Sequence, residues 1–362
     1  MNFSNILIAQ ESKLWGVTST EGKYGYGTIF YIDKQGNTFN KVHDFDGETG
    51  YPVSSLTLCN KKIWGMTQGD SPNLKAKIHG AIFMIDTNGS GYKIVSEFNG
   101  LNGSIPLGEL IVFKDHLFGM TLMGGTHNSG IIFRIHQDGT NFKKLYDLKK
   151  IDGTHPRNSL FLYEDKLWGI TSRGGTENKG TIFNINTDGS NFKKIYDFKN
   201  SSIIEPESGL IYKNNTFWSM CTRGGKHNEG GIFKINLDGS SFKIVHHFMY
   251  PALGDLIESN GKLWGMTASR GKYNAGEIFY INPNDNSYTK VHDFDKTNGR
   301  FPEGNLYESN HTLYGMTRFG GKHNLGVIFS ISNNGKSFKK LFDLNKDTGG
   351  APYGTLIEIT KK

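Results

Sequence analysis

The sequence predicts an all-β chain folded as a seven-bladed β-propeller, with four antiparallel strands per blade and one supernumerary terminal strand closing the ring. Three observations predict it. The motif aromatic-Gly-Met-Thr, or a near variant, occurs seven times, headed by Trp15, Trp64, Phe118, Trp168, Trp218, Trp264 and Tyr314, at steps of 49, 54, 50, 50, 46 and 50 residues. Repeats of about 40 to 50 residues carrying several short strands are blade-sized. The composition, with 47 Gly and 13% aromatic residues, suits many tight turns between strands that pack face to face. Repeat folds grow by adding units, so residues 1–362 read as one domain.

Each repeat offers four strand-like stretches, which we label A to D. In the third repeat these are residues 109–112, 117–121, 130–135 and 142–147, each short, rich in β-formers and bounded by turn residues. No stretch keeps a helical period. Between C and D lie Asn88-Gly89, Asp138-Gly139, Asp188-Gly189, Asp238-Gly239 and Asn334-Gly335, where Gly supplies the positive φ of a hairpin turn. Calcium loops also use such patterns, but the further carboxylates they need are missing, so no metal is assigned. Between D and the next A every repeat places a proline, at 52, 106, 156, 206, 251, 302 and 352. Proline fixes φ and lacks a donor, which fits a chain leaving one blade's outer edge for the next blade's inner strand.

Three aromatic columns read as core: the Phe of strand C (Phe30, Phe83, Phe133, Phe183, Phe233, Phe279, Phe329), the aromatic opening D, and the strand B aromatic. Rings repeated once per blade can interdigitate between neighbours. The Asp that ends D, as in Asp44 and Asp147, is expected to accept turn amides. Cys59 and Cys221 fall in different repeats and read as small buried hydrophobes, without a disulfide framework.

Residues 167–183, Leu-Trp-Gly-Ile-Thr-Ser-Arg-Gly-Gly-Thr-Glu-Asn-Lys-Gly-Thr-Ile-Phe, resemble the GloVer tandem repeat of bacterial propeller-like proteins and, more distantly, kelch repeats with their paired glycines. The resemblance spans essentially the whole chain. It implies a propeller, often in secreted or surface proteins, and no common activity. Two repeats depart from it: the first has Glu21 for the leading Gly, and the second carries a longer loop at residues 68–77. The N-terminus lacks a basic leader with a long apolar run, and no apolar stretch reaches membrane-spanning length.

The loop between B and C is the candidate functional element, because its glycines persist while its polar residues vary. One column reads Tyr24, His127, Glu177, His227, Tyr273 and His323, followed by Asn at 128, 178, 228, 274 and 324, where Asn suits left-handed turns. No His pair has metal-ligand spacing, and no cofactor is implied. Four of the seven arginines, Arg173, Arg223, Arg270 and Arg318, lie in the same loops with Lys226, Lys272 and Lys322. Arg offers a planar fork for carboxylate, sulfate or phosphate, so one sector of this face is expected to be a basic crescent. Lys plus Arg exceed Asp plus Glu by 41 to 34, which favours anionic partners generally.

The candidate binding set is therefore His127, Arg173, Arg223, His227, Arg270, Tyr273, Arg318 and His323. The preferred reading is a non-catalytic binding or scaffold propeller that engages a protein or an anionic glycan, with nucleic acid less supported. An enzyme, a lyase or glycan hydrolase working through His127, His227 or His323 with Glu177, is the second reading. The third is a structural part of a surface layer or particle. It draws on strand arithmetic: a leucine precedes every B aromatic by eight residues, from Leu7 to Leu306, and Leu356 begins an eighth A strand with no B after it. Twenty-nine strands for a ring of 28 leave one terminal strand spare. The termini should lie together and close the ring.

Overall fold

The computed structural model describes residues 12–69, 78–199, 203–249, 251–269 and 271–360. Its strands form seven antiparallel sheets of four, arranged as a seven-bladed propeller. In blade 3, strand A is Ile111–Phe113, B is His116–Thr121, C is Ile131–His136 and D is Lys143–Asp147. The other blades repeat this order. Blade 2 adds the short strand Tyr51–Pro52 on the same B strand, and blade 5 adds the pair Ile203–Ile204 and Arg223–Gly224.

The ring closes through the C-terminus. Strand Ile357–Thr360 pairs antiparallel with Ser12–Thr18, from Ser12↔Thr360 to Trp15↔Ile357, and so serves as the inner strand of blade 1. The expected strand at Leu7 lies outside the described residues.

The repeated motif has a steric cause. A Cβ on Gly65 would stand 2.3 Å from Cζ of Phe83, and one on Gly169 would stand 2.4 Å from Cζ of Phe183. The motif glycine is the space that the strand C phenylalanine fills. Blade 5 has Ser219 there, whose hydroxyl donates to the Ser208 carbonyl at 3.0 Å. All seven blades carry a register shift between C and D at the same phenylalanine, as at Ile132/Phe133.

The core lies between blades. Trp64 and Ile82 of blade 2 pack with Leu117 and Phe133 of blade 3, and each of the other six blade interfaces repeats that arrangement. On the outer strands a ring near the end of D stacks on the ring opening D of the next blade: His43 on Tyr92, Tyr146 on Phe192, Tyr196 on Phe242, His246 on Tyr288, His292 on Phe338 and Phe342 on Phe39. Ser96 takes this place in blade 2. Cys59 and Cys221 are buried free thiols.

Candidate functional site

The B to C loops and the D to A joints share one face. Backbone bonds tie them together, with Ser104 N donating to Met123 O at 2.9 Å and Arg300 N to Phe319 O at 2.8 Å. The loops are built as the sequence predicts. Asn128, Asn178, Asn228, Asn274 and Asn324 are left-handed, and Asn128 Oδ1 accepts from Gly124 N at 3.0 Å. Asp44, Asp147, Asp293 and Asp343 accept the turn amides of Lys23, Thr126, Lys272 and Lys322. In blade 5, His247 Nδ1 replaces the carboxylate and accepts from Lys226 N at 3.1 Å. The joint prolines seat the next blade: a Cβ on Gly130 would meet Thr121 O at 2.3 Å and Pro156 Cδ at 3.0 Å.

His127, His227 and His323 stand exposed, each on its own loop tip, and Tyr273 is exposed with the Lys272 ammonium 5.0 Å from its ring centre. Arg270 lies outside the described residues. Among the described residues no group of three His, Cys, Asp or Glu side chains could hold a metal ion. The arginines do come together with other groups, but those groups are carboxylates of the D to A joints. Arg173 Nη2 lies 3.4 Å and Arg223 Nε 3.2 Å from the two oxygens of Glu205. Arg318 lies 3.3 Å from Glu303, with its guanidinium 4.4 Å from the centre of the Tyr353 ring. The three described arginines of the crescent are thus paired with carboxylates.

The same joints converge on a cavity of about 480 Å³, lined from all seven blades. Every joint contributes residues as the chain enters strand A, so the cavity lies on the ring axis. The first position forms the mouth, running round the ring as Val53, Leu107, Arg157, Glu207, Leu253, Glu303 and Tyr353. Arg157 Nε bonds Glu207 at 2.9 Å. Burial pushes the carboxyls of Glu207 and Glu303 up while Arg157 and Arg318 pull them back. Burial pushes the Tyr353 hydroxyl up to about 12.

The third position forms the floor layer: Ser55, Glu109, Ser159, Asn305 and Thr355 line the cavity, and Gly209 and Asp255 hold the equivalent positions outside its lining. Asp255 is its staple. Its Oδ1 accepts from Asn158 Nδ2 at 2.5 Å and Gly209 N at 2.6 Å, and its Oδ2 from Asn305 Nδ2 at 3.0 Å, so it links blades 4, 5, 6 and 7. Burial still raises its carboxyl. Glu109, tied through its amide to Ser159 Oγ at 2.9 Å, is pushed up to about 7 by burial first and by Asp255 second. A carboxylic acid poised near neutrality can donate or accept a proton, and its neighbours offer planar hydrogen-bonding groups.

Sequence reasoning missed this pair of acids. The available signal was the column just before the A-strand leucine, where Glu109 and Asp255 stand among small polar residues.

With that geometry in hand, the chain belongs to the Gloeobacter/Verrucomicrobia repeat family, whose model matches residues 72–254 and 249–362. No curated protein matches it by sequence. Among solved structures it is similar to a putative 6-phosphogluconolactonase from Bacteroides fragilis (15% identity, 99% of this chain and 100% of that chain, TM-score 0.60). It is also similar to a periplasmic gluconolactonase from Pseudomonas aeruginosa (14%, 96% and 99%, 0.58) and to a chain of a nidogen/laminin complex (12%, 95% and 98%, 0.51). At these identities the likeness shows the fold alone, and that fold serves enzymes and a protein complex alike. Among the described residues no helix is long and apolar enough to cross a membrane.

Proposed function

We propose that the chain is a binding propeller whose ligand is a small glycan seated in the axial pocket, with the B to C loops forming its rim. The observation that carries this reading is the converging lining. Seven blades contribute planar polar groups (Arg157, Glu207, Glu303, Asn305), hydroxyls and the Tyr353 ring to one cavity on one face. Such groups hydrogen-bond vicinal hydroxyls in pairs, and an aromatic ring covers the apolar face of a sugar. A volume of about 480 Å³ lies in the range of small-molecule sites. Because Arg173, Arg223 and Arg318 already face carboxylates, the pocket favours hydroxyl-rich ligands over the anionic ones that loop charge suggests. A glycan array followed by calorimetry tests this: Arg157→Ala and Tyr353→Ala should each weaken a hit roughly tenfold or more. Charge reversal at Arg173, Arg223 and Arg318 matching or exceeding that loss would place the site on the loops instead.

A second reading has its own observation. Glu109 beside Asp255 is the kind of carboxyl pair that hydrolytic chemistry uses, and two structural neighbours are named as lactonases. Proton release from gluconolactone, lost in Glu109→Gln and kept in His127→Ala, would support an enzyme. For the assembly reading the spare strand is then the stretch at Leu7, outside the described residues, since Ile357–Thr360 is already paired within blade 1.

A further inference from the structure

The charges of the axial pocket do not balance. At the mouth every carboxylate has a guanidinium: Glu207 has Arg157, Glu303 has Arg318, and Glu205 behind them has Arg173 and Arg223. On the floor, among the described residues, neither Glu109 nor Asp255 has an ion pair. Two acids close together and enclosed by protein repel each other and lose hydration. A proton on Glu109 relieves this, since burial and Asp255 hold its carboxyl at about 7. A ligand cation beside Glu109 would relieve the same repulsion.

The cation that fits is an ammonium and not a metal ion. Both oxygens of Asp255 are committed to N–H donors, Asn158 Oδ1 accepts Ser159 N at 2.6 Å, and Asn305 Oδ1 accepts Asp255 N at 2.6 Å. Asp255 thus takes three N–H donors and the Glu109 side chain one serine, so Glu109 is the carboxylate with more acceptor capacity to spare. One carboxylate cannot supply the six or more oxygens that calcium takes. An ammonium needs only three acceptors. Thr355 Oγ1, which lines the pocket, is buried with no hydrogen-bond partner. Ser55 joins it to Glu109, accepting from Thr355 N at 3.0 Å and bonding the Glu109 carboxyl.

We propose that the ligand of the axial pocket is an amino sugar whose protonated amine is received on the floor by Glu109 and Thr355. This rests on the glycan reading above and names its class. When the amine enters, it donates to the Glu109 carboxylate, and the proton that Glu109 carried leaves to solvent.

The test uses the whole chain and three disaccharide probes: chitobiose with free amines, its fully N-acetylated form, and cellobiose. Calorimetry near neutral pH should show the free-amine probe binding roughly tenfold to a hundredfold tighter than cellobiose. Its heat should vary with the ionisation enthalpy of the buffer, reporting proton release. Glu109→Gln, checked for an unchanged melting profile near pH 5, should reduce the amine-to-cellobiose ratio to about twofold or less and remove the buffer dependence. Thr355→Val should lower the same ratio, which guards against a misfolded first variant. Cellobiose or the N-acetylated probe binding as tightly as the amine would overturn the amine assignment and leave the glycan reading in place. Binding of none of the three would overturn both.

Discussion

Glu109→Gln is expected to stabilise the protein at alkaline pH and to do little at acid pH. The carboxyl rises from 4.5 to about 7 on folding, because burial and the neighbouring Asp255 disfavour its charge. A raised folded-state value means that the protonated group contributes fully below about 4.5, and that stability is lost as pH climbs through about 7. At about 1.4 kcal/mol per unit, the loss reaches about 3 kcal/mol by about pH 8. Gln keeps the shape and the bond to Ser55 but cannot ionise. Urea unfolding followed by the fluorescence of the five tryptophans, at about pH 5 and about pH 8, should show the variant matching wild type at the lower pH and exceeding it by about 2–3 kcal/mol at the higher. Parallel curves for the two proteins across that range would refute the reasoning, since they would mean that Glu109 ionises as freely in the pocket as in water.

Gly169→Ala should cost about 2–3 kcal/mol, because its Cβ would lie 2.4 Å from the Phe183 ring, whereas Gly261→Ala, with nothing within 4 Å, should cost only the left-handed backbone term of about 1 kcal/mol. Thermal melts of the two variants separate a steric cost from a conformational one. His246 stacks on Tyr288 at 3.9 Å and is driven down to about 4 by burial, so its contribution is present above 6.5 and lost as pH falls through about 4. His246→Phe keeps the ring stack, as Phe342 does on Phe39, and should raise stability near pH 4 by about 2 kcal/mol while leaving neutral pH unchanged in urea titrations. Deleting residues 353–362 removes the inner strand of blade 1 together with buried Leu356 and Ile359, about 4 kcal/mol of apolar burial before strand pairing is counted. Circular dichroism and size exclusion should show an opened, aggregation-prone chain. A monomeric truncated protein with native spectra would contradict closure at this seam.

The fold was legible because steric necessity recurs in every blade. Gly65 and Gly169 make room for a ring, Asn128 and its equivalents take left-handed turns, and Pro156 packs against the glycine of the preceding loop, so each position tolerates few residue types. The pocket was not. Its lining comes from columns that carry no motif, and only closure of the ring brings Asn158 within 2.5 Å of Asp255, 97 residues away. The arginines show the converse limit: their charge is plain in the sequence, but their partners, Glu205 and Glu303, flank the joint prolines and are chosen by the fold.

The two floor acids separate architecture from ligand chemistry. Seven identical side chains cannot meet on an axis: seven carboxylates would repel and seven leucines would leave the joint amides unanswered, so some variation there is a demand of the ring itself. Asp255 meets that demand. Removing its side chain in Asp255→Ala would leave Gly209 N and the amides of Asn158 and Asn305 without their acceptor, at a cost of about 3–5 kcal/mol. Glu109 answers no such demand, because Ser159 Oγ holds its backbone and its side chain bonds one serine. The two acids of the same ring should therefore respond with opposite signs near pH 8, Asp255→Ala melting below wild type and Glu109→Gln above it. Two losses of similar size would mean that both acids are struts of the ring, whereas opposite signs single out Glu109 as a side chain that the fold does not require.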